Sequence, residues 1–231
     1  MEEYVLAAVV FDFDGIIVDT EPLHYKAFQE VLVPLGMGYS WEEYIRHYIG
    51  FDDRDAFREV FASAGIKLDA DRLSALMGQK AAAFNNVIAT GVTPFCGVIE
   101  LIKSLKGILP VALCSGALTS DIVPILRQLD ITDAFDAIVT ADEVSVSKPD
   151  PESYKLIVDK LAGQFPKLNI SPSHCLAIED TPAGIASATG AGLKVLAVTN
   201  SYPEEKLNGA VKVVDSLVGI DYQGLAACVV N

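Results

Sequence analysis

Six short apolar runs, each the length of a buried strand, recur along most of this chain: Leu6–Phe11, Leu109–Cys114, Ala137–Val139, Cys175–Ile178, Leu193–Val198 and Val211–Val214. Between most of them lie amphipathic stretches of helical spacing, at about 97–106, 119–129, 151–164 and 183–190. A strand that is apolar on both faces has to be covered on both faces, and helices alternating with such strands supply the cover. The pattern predicts an α/β fold built on a parallel sheet. Residues 92–231 keep this rhythm throughout.

The stretch from about 20 to 90 breaks it. Residues 21–33 align Leu23, Ala27, Phe28, Val31 and Leu32 on one helical face, with Pro22 in the first turn, where its missing N–H costs nothing. Pro34 and Gly36 end that run. Residues 52–64 group Ala56, Phe57, Val60, Phe61 and Ala64, and residues 70–88 group Leu73, Leu76, Phe84, Val87 and Ile88. Three or four helices with no strand among them, entering directly after the first strand, read as a helical bundle inserted into an α/β domain. Gly15 on one side and Gly91 with Pro94 on the other are the candidate crossings. Residues 1–17 and 92–231 are thereby assigned to the sheet domain and 18–91 to the insert. Two connections between the same two bodies make a hinge.

Composition narrows the function classes. Of 231 residues 51% are hydrophobic, which supports a sizeable core and excludes a disordered or fibrous chain. The formal net charge of −14 repels polyanions, so neither nucleic acid nor an anionic membrane surface is an expected partner. A small phosphate ligand held by a few local donors stays open. The longest apolar runs span about six residues, far short of the ~20 needed to cross a bilayer, and Met1-Glu2-Glu3 has the wrong sign for a signal peptide. Cys96, Cys114, Cys175 and Cys228 form no C-x-x-C pair and read as buried, reduced thiols. The expected location is the cytoplasm.

Four segments carry chemistry. In Phe11-Asp12-Phe13-Asp14-Gly15 a buried strand delivers two acids onto a tight turn. The carboxyl ends of strands are where ligands bind in open α/β sheets, and carboxylates there need a cation or hydrogen bonds to offset their desolvation. In Leu113-Cys114-Ser115-Gly116-Ala117 a hydroxyl and close backbone N–H groups at a strand-to-helix junction form an anion site, or Ser115 is simply a helix N-cap. Lys148, in Ser147-Lys148-Pro149-Asp150, either places an ammonium on a phosphate oxygen or is a solvated loop lysine. Glu179-Asp180-Thr181-Pro182-Ala183-Gly184 brings adjacent acids to another strand end, with helix N-capping by Asp180 as the alternative. All four follow strands of one parallel sheet and so converge on one rim. Acids around a hard, oxygen-preferring cation match Mg²⁺, leaving a hydroxyl, backbone donors and a lysine for a phosphoryl group.

In order and over nearly the whole chain, these motifs resemble those of the haloacid dehalogenase-like hydrolase superfamily. The insert is similar to the cap of its β-phosphoglucomutase and phosphoglycolate phosphatase subgroup. The resemblance implies a Rossmann-like parallel-sheet core with an inserted helical-bundle cap domain, Mg²⁺ as cofactor and a small phosphorylated metabolite as partner. It implies that Asp12 is the nucleophile taking the phosphoryl group, and that Asp14 protonates the leaving oxygen and then activates water. Ser115, the N–H of Gly116 and Lys148 would hold the phosphate oxygens. Asp12, Asp180 and the backbone carbonyl of Asp14 would ligate Mg²⁺, with Glu179 reaching it through water. Ile16 stands where many members carry Thr, and Thr181 where Ser is commoner.

The same resemblance ranks the reactions. True dehalogenases of the superfamily lack the second acid, so the presence of Asp14 favours phosphoryl chemistry. Phosphonate hydrolysis needs a cap lysine, for which Lys26, Lys67 and Lys80 are the candidates. The mutases carry a Lys directly before a Gly in a cap loop; here Ile49 precedes Gly50 and Arg54 arrives one residue late. A phosphatase acting on a small phosphomonoester is therefore expected, with a β-phosphoglucomutase-type mutase as the alternative. His24 and Arg54 are the cap candidates for substrate contact; otherwise they are a helical histidine and a surface ion-pair residue. A non-catalytic phosphometabolite sensor would have lost one of Asp12, Asp14, Lys148 or Asp180, and a nucleotide-binding dehydrogenase would show G-x-G-x-x-G after the first strand. Neither pattern is present.

Overall fold

The computed structural model describes residues 6–48, 51 and 53–230. The chain divides into two compact units, Met1–Asp19 with Thr93–Asn231, and Thr20–Val92.

The second unit is helical: α1 (Glu21–Leu32), α2 (Trp41–His47), α3 (Asp53–Ser63) and α4 (Ala70–Ala89). Helix α1 carries its proline in the first turn and gives way at Val33–Leu35 to a 3₁₀ turn closed by Gly36 at φ 70°. The apolar stripes meet inside the bundle, where Phe57, Phe61 and Phe84 are buried and the Phe28 and Phe57 rings lie edge to face at 5.3 Å. Helix α2 has no long apolar stripe and starts instead from a capping box. Ser40 Oγ accepts from the Glu43 N–H, and Glu43 accepts from the Ser40 N–H, each at 3.2 Å. Lys80, in the middle of α4, departs from the apolar pattern, because it is a charged side chain and is buried.

The first unit is a parallel sheet of β1 (Ala8–Phe11), β2 (Val111–Cys114), β3 (Ala137–Val139), β4 (Cys175–Glu179), β5 (Lys194–Val198) and β6 (Lys212–Val214), in the spatial order β3-β2-β1-β4-β5-β6. This is the doubly wound, Rossmann-like order. Every residue of β1, β2 and β4 is buried, which is why β1, β2 and the Cys175–Ile178 part of β4 read as unbroken apolar runs. Helices α5 (Val98–Leu105), α6 (Thr119–Gln128), α7 (Glu152–Gln164), α8 (Pro182–Gly190) and the short α9 (Tyr222–Ala226) complete the unit. Alternate strand residues such as Ala8, Val10, Ala112, Cys114 and Ala177 form one core layer with Tyr154, Ile157 and Leu161 of α7 and Ile185 and Ala188 of α8.

Residues 16–18 are tied to the sheet unit: the Phe95 N–H donates to the Ile17 carbonyl at 2.9 Å, and Val18 bridges to both Asp14 and Pro94. The crossings accordingly fall after Asp19 and before Thr93. The sequence pattern fails for one thiol. Cys114, Cys175 and Cys228 are buried, but Cys96 is exposed, because it lies in the loop just before Gly97 caps α5 rather than on the apolar face of that helix. Among the described residues no helix is long and apolar enough to cross a membrane.

Candidate active site

The strand order reverses between β1 and β4, since β2 flanks β1 on one side and β4 flanks it on the other. The crevice at the carboxyl ends of those two strands is where such a sheet binds ligands. Asp12 follows β1, Glu179 ends β4 and Asp180 follows it. Carboxylate oxygens of Asp12, Glu179 and Asp180 lie within 4.8 Å of one another, and all three residues are buried.

Lys148 enters this cluster from the loop between β3 and α7, one residue before Pro149, to which it is joined by a cis peptide bond. Its Nζ lies 2.6 Å from Asp12 Oδ1 and 2.6 Å from Glu179 Oε1, and donates to the Cys114 carbonyl at 3.1 Å. It is therefore no solvated loop lysine. Burial works against the ammonium, but the Asp12 and Glu179 charges outweigh it and lift the Lys148 pKa well above the usual lysine value.

One ammonium does not balance three buried acids. Among the described residues, neither Asp180 oxygen, both of them buried, has a hydrogen-bond partner. Burial, reinforced by the Glu179 charge, pushes the Asp180 carboxyl up to about 7, and the nearby Ser201 hydroxyl, which opposes that shift, does not meet hydrogen-bond geometry with either oxygen. Burial first and the Glu179 charge second likewise hold Asp12 well above the ordinary carboxylate range, against the pull of Lys148. Buried oxygen donors with surplus negative charge and orphaned lone pairs fit a hard divalent cation.

Neither capping alternative holds. Helix α8 is capped by Thr181, whose Oγ1 accepts from the Gly184 N–H at 3.0 Å, so Asp180 is not its cap. Helix α6 begins only at Thr119 after Leu118, so Ser115 and Gly116 lie in the turn before it and not on its N-terminus. In that turn Ser115 Oγ accepts from the Ala117 N–H at 3.0 Å and faces Asp14 Oδ2 at 3.5 Å, while the Gly116 Cα faces open space. Asp14 is half-buried beside Ser115, and its side chain is not one of the three clustered carboxylates.

Two contributors, Tyr154 and Asn200, escape sequence reasoning, and a third, Gly184, stands in the fourth motif as a small residue for close helix packing. Tyr154 Oη donates to Glu179 Oε1 at 2.8 Å, behind the cluster. Asn200, just beyond β5, donates from Nδ2 to the Gly15 carbonyl at 2.6 Å. Gly184 lies against Glu179. The polar triplet Thr199-Asn200-Ser201 at yet another strand end was the available signal for the second of these.

The remaining candidates belong to the helical unit. His24 Nδ1 lies 2.8 Å from Lys80 Nζ, its ring stacks on Phe84 at 4.5 Å between centroids, and Lys80 also pairs with Asp53 Oδ1 at 2.7 Å. Burial, with the Lys80 charge added, lowers the His24 pKa to about 3, so the imidazole is neutral. Arg54 is exposed in the first turn of α3. Ile49 and Gly50, on which the distinction from a mutase turned, lie outside the described residues.

The family model described as haloacid dehalogenase-like hydrolase matches residues 9–198. The chain belongs to the haloacid dehalogenase-like hydrolase family. Among curated relatives of this hydrolase, the fructose-1-phosphate phosphatase YqaB of Escherichia coli is 31% identical over 83% of the chain and 96% of its own length. A phosphorylated carbohydrates phosphatase of Thermotoga maritima is 29% identical over 87% of the chain and 89% of its own. Among solved structures, CbbY of Rhodobacter sphaeroides in complex with xylulose-1,5-bisphosphate superposes with a TM-score of 0.81, covering 96% of this chain and 99% of that one. At 23% identity that likeness is one of fold.

Proposed function

We propose that this hydrolase is a Mg²⁺-dependent phosphatase of the cytoplasm that cleaves a small phosphomonoester, a sugar phosphate or a phosphoglycolate-like ester, by way of an aspartyl phosphate on Asp12. The observation that carries the reading is the buried knot in which Lys148 bridges Asp12 and Glu179 at 2.6 Å while Asp180 keeps both oxygens unmatched. A nucleophilic carboxylate, a cation able to pass from carboxylate to phosphate, and oxygen donors for a hard ion stand together. The ester class is supported by relatives named as phosphatases of fructose 1-phosphate and of phosphorylated carbohydrates. A net charge of −14 favours a small ligand over nucleic acid or an anionic membrane.

In this mechanism ionised Asp12 attacks phosphorus and the ester oxygen leaves as an alcohol, protonated by Asp14. Lys148 Nζ, Ser115 Oγ and the Gly116 N–H hold the phosphoryl oxygens, where charge spreads in the transition state. Asp14, now ionised, takes a proton from the water that opens the acyl phosphate. Asp12 is returned as a carboxylate and inorganic phosphate leaves. Asp12, Asp180 and the Asp14 carbonyl would hold the Mg²⁺, with Glu179 reaching it through water. When bound, the ion neutralises charge so that a carboxylate can approach a phosphate dianion. His24 and Arg54 are the proposed substrate contacts of the insert.

The test is inorganic phosphate release from a panel of esters (hexose phosphates, fructose 1-phosphate, phosphoglycolate, nucleotides and β-glucose 1-phosphate) with and without Mg²⁺, using Asp12→Asn as control. Release that needs both Mg²⁺ and Asp12 is expected, with a small sugar phosphate among the best substrates. Conversion of β-glucose 1-phosphate to glucose 6-phosphate with a bisphosphate primer, and no phosphate release, would replace the phosphatase by the mutase.

A further inference from the structure

Tyr154 stands on α7, fully buried, and it touches both partners of the Lys148–Glu179 pair. Its hydroxyl donates to Glu179 Oε1 at 2.8 Å, the same oxygen that Lys148 Nζ approaches at 2.6 Å. Its ring face receives Lys148 Nζ at 5.0 Å from the centroid. The three side chains close a triangle whose free corner is the ammonium, and that ammonium also lies 2.6 Å from Asp12 Oδ1.

We propose that Tyr154 is a positioning residue of the phosphoryl-transfer site: its hydroxyl shares the Glu179 carboxylate with Lys148, and its ring holds the ammonium beside Asp12, where a phosphate oxygen is to be received. The inference rests on the reading above that Lys148 serves the phosphoryl group.

The physical reason lies in how Glu179 is satisfied. A buried carboxylate takes the strongest donors it can find. Among the described residues Glu179 Oε2 has only long contacts, from the Asp180 N–H at 3.3 Å and the Thr181 hydroxyl at 3.4 Å. Oε1 therefore depends on Lys148 and Tyr154. With the tyrosine hydroxyl present, part of that demand is met by a neutral donor and the ammonium stays available to Asp12. With it removed, Glu179 draws on Lys148 alone and competes with any phosphate for the same cation. A phenyl ring keeps the face on which Lys148 rests, whereas an aliphatic side chain removes it as well.

Tyr154→Phe and Tyr154→Leu separate the two contributions. The readouts are calorimetric binding of inorganic phosphate in the presence of Mg²⁺, kcat and KM on the best ester of the panel, and the melting temperature. Partners one shell behind a site typically cost 10–100-fold when lost. Tyr154→Phe is expected to melt near the wild type while binding inorganic phosphate about tenfold more weakly, and Tyr154→Leu to lose about a further tenfold. Combining Tyr154→Phe with Glu179→Gln should leave no additional loss in phosphate binding beyond Glu179→Gln alone, because the hydroxyl acts through that carboxylate. Should Tyr154→Leu fail to fold, this cycle decides by itself. Wild-type phosphate affinity and KM in Tyr154→Phe, or additive losses in the cycle, overturn the proposal even where the wild-type enzyme releases phosphate with Mg²⁺. Absence of that release in the wild type overturns the underlying phosphatase reading instead.

Discussion

Gly184 and Glu179 occupy what is nearly one space: a Cβ on Gly184 would fall 2.0 Å from the Glu179 Cδ. Helix α8 turns over the carboxylate at the end of β4, and only a residue without a side chain lets its backbone do so. The glycine that closes the fourth motif thus has a cause in the acid beside it. It makes room for an acid that pairs with Lys148.

Replacing Gly184 by Ala should push Glu179 or α8 aside, costing about 1–3 kcal/mol of stability and more than tenfold in turnover. Gly163→Ala, in α7, is the matched control. A Cβ there meets nothing within 4 Å, so relief of backbone entropy should stabilise by about 0.5–1 kcal/mol. Urea denaturation and steady-state kinetics of both variants check this, and a Gly184→Ala enzyme equal to wild type would contradict it.

In metal-free protein Asp180 should make stability fall as pH rises. Its folded-state pKa, about 7, lies above the ordinary value of 3.8, so between those limits the folded chain binds a proton that the unfolded chain has released. Proton uptake by the folded state gives ΔG of unfolding a negative slope against pH. The stability difference between wild type and Asp180→Asn should therefore shift against the wild type from about pH 4 to about pH 7 and level off above. Melting curves in EDTA measure it. Added Mg²⁺ should raise the wild-type melting temperature more at pH 8 than at pH 5, and the reverse order would refute the argument.

His24 should stay neutral throughout the range in which an ordinary histidine titrates. Its pKa of about 3 comes first from burial and then from Lys80, so Lys80→Met should raise the value without restoring 6.5. Because the folded pKa is depressed, His24 should cost stability as pH falls below 6.5, and His24→Gln should flatten that part of the curve. The imidazole Hε1 shift in an NMR titration reports the pKa directly; a midpoint near 6.5 in the wild type would be inconsistent with the observed packing on Phe84.

Cys96 should be the thiol that reacts fastest. It is exposed, while Cys114, Cys175 and Cys228 are buried, and burial pushes the Cys114 thiol up to about 11 and that of Cys175 to about 12. Native alkylation followed by mass spectrometry should find one modification at Cys96 before any other. Labelling of Cys114 at a comparable rate would be the contrary result.

How much of this was legible in the chain follows from the range over which each signal acts. The buried runs at 8–11, 111–114 and 175–179 announce strands because β1, β2 and β4 are covered on both faces, and that demand is met residue by residue along the sequence. The stripes at Phe28, Phe57 and Phe84 announce the insert for the same local reason, and the capping box at Ser40 and Glu43 carried an equally local signal for α2. Acids placed straight after apolar runs likewise put Asp12 and Asp180 at strand ends. What the chain could not state alone is which ends meet. Asp12 and Lys148 stand 136 positions apart and Lys148 and Glu179 stand 31 apart, and they are neighbours only because β1 lies between β2 and β4. The same holds for Asn200 on Gly15, for Tyr154 under Glu179, and for Lys80, whose burial beside His24 and Asp53 runs against its own hydropathy. Periodicity reports which face of an element is apolar. The partner that a polar side chain finds is set by sheet order and helix packing, and those are decided only when the whole core closes.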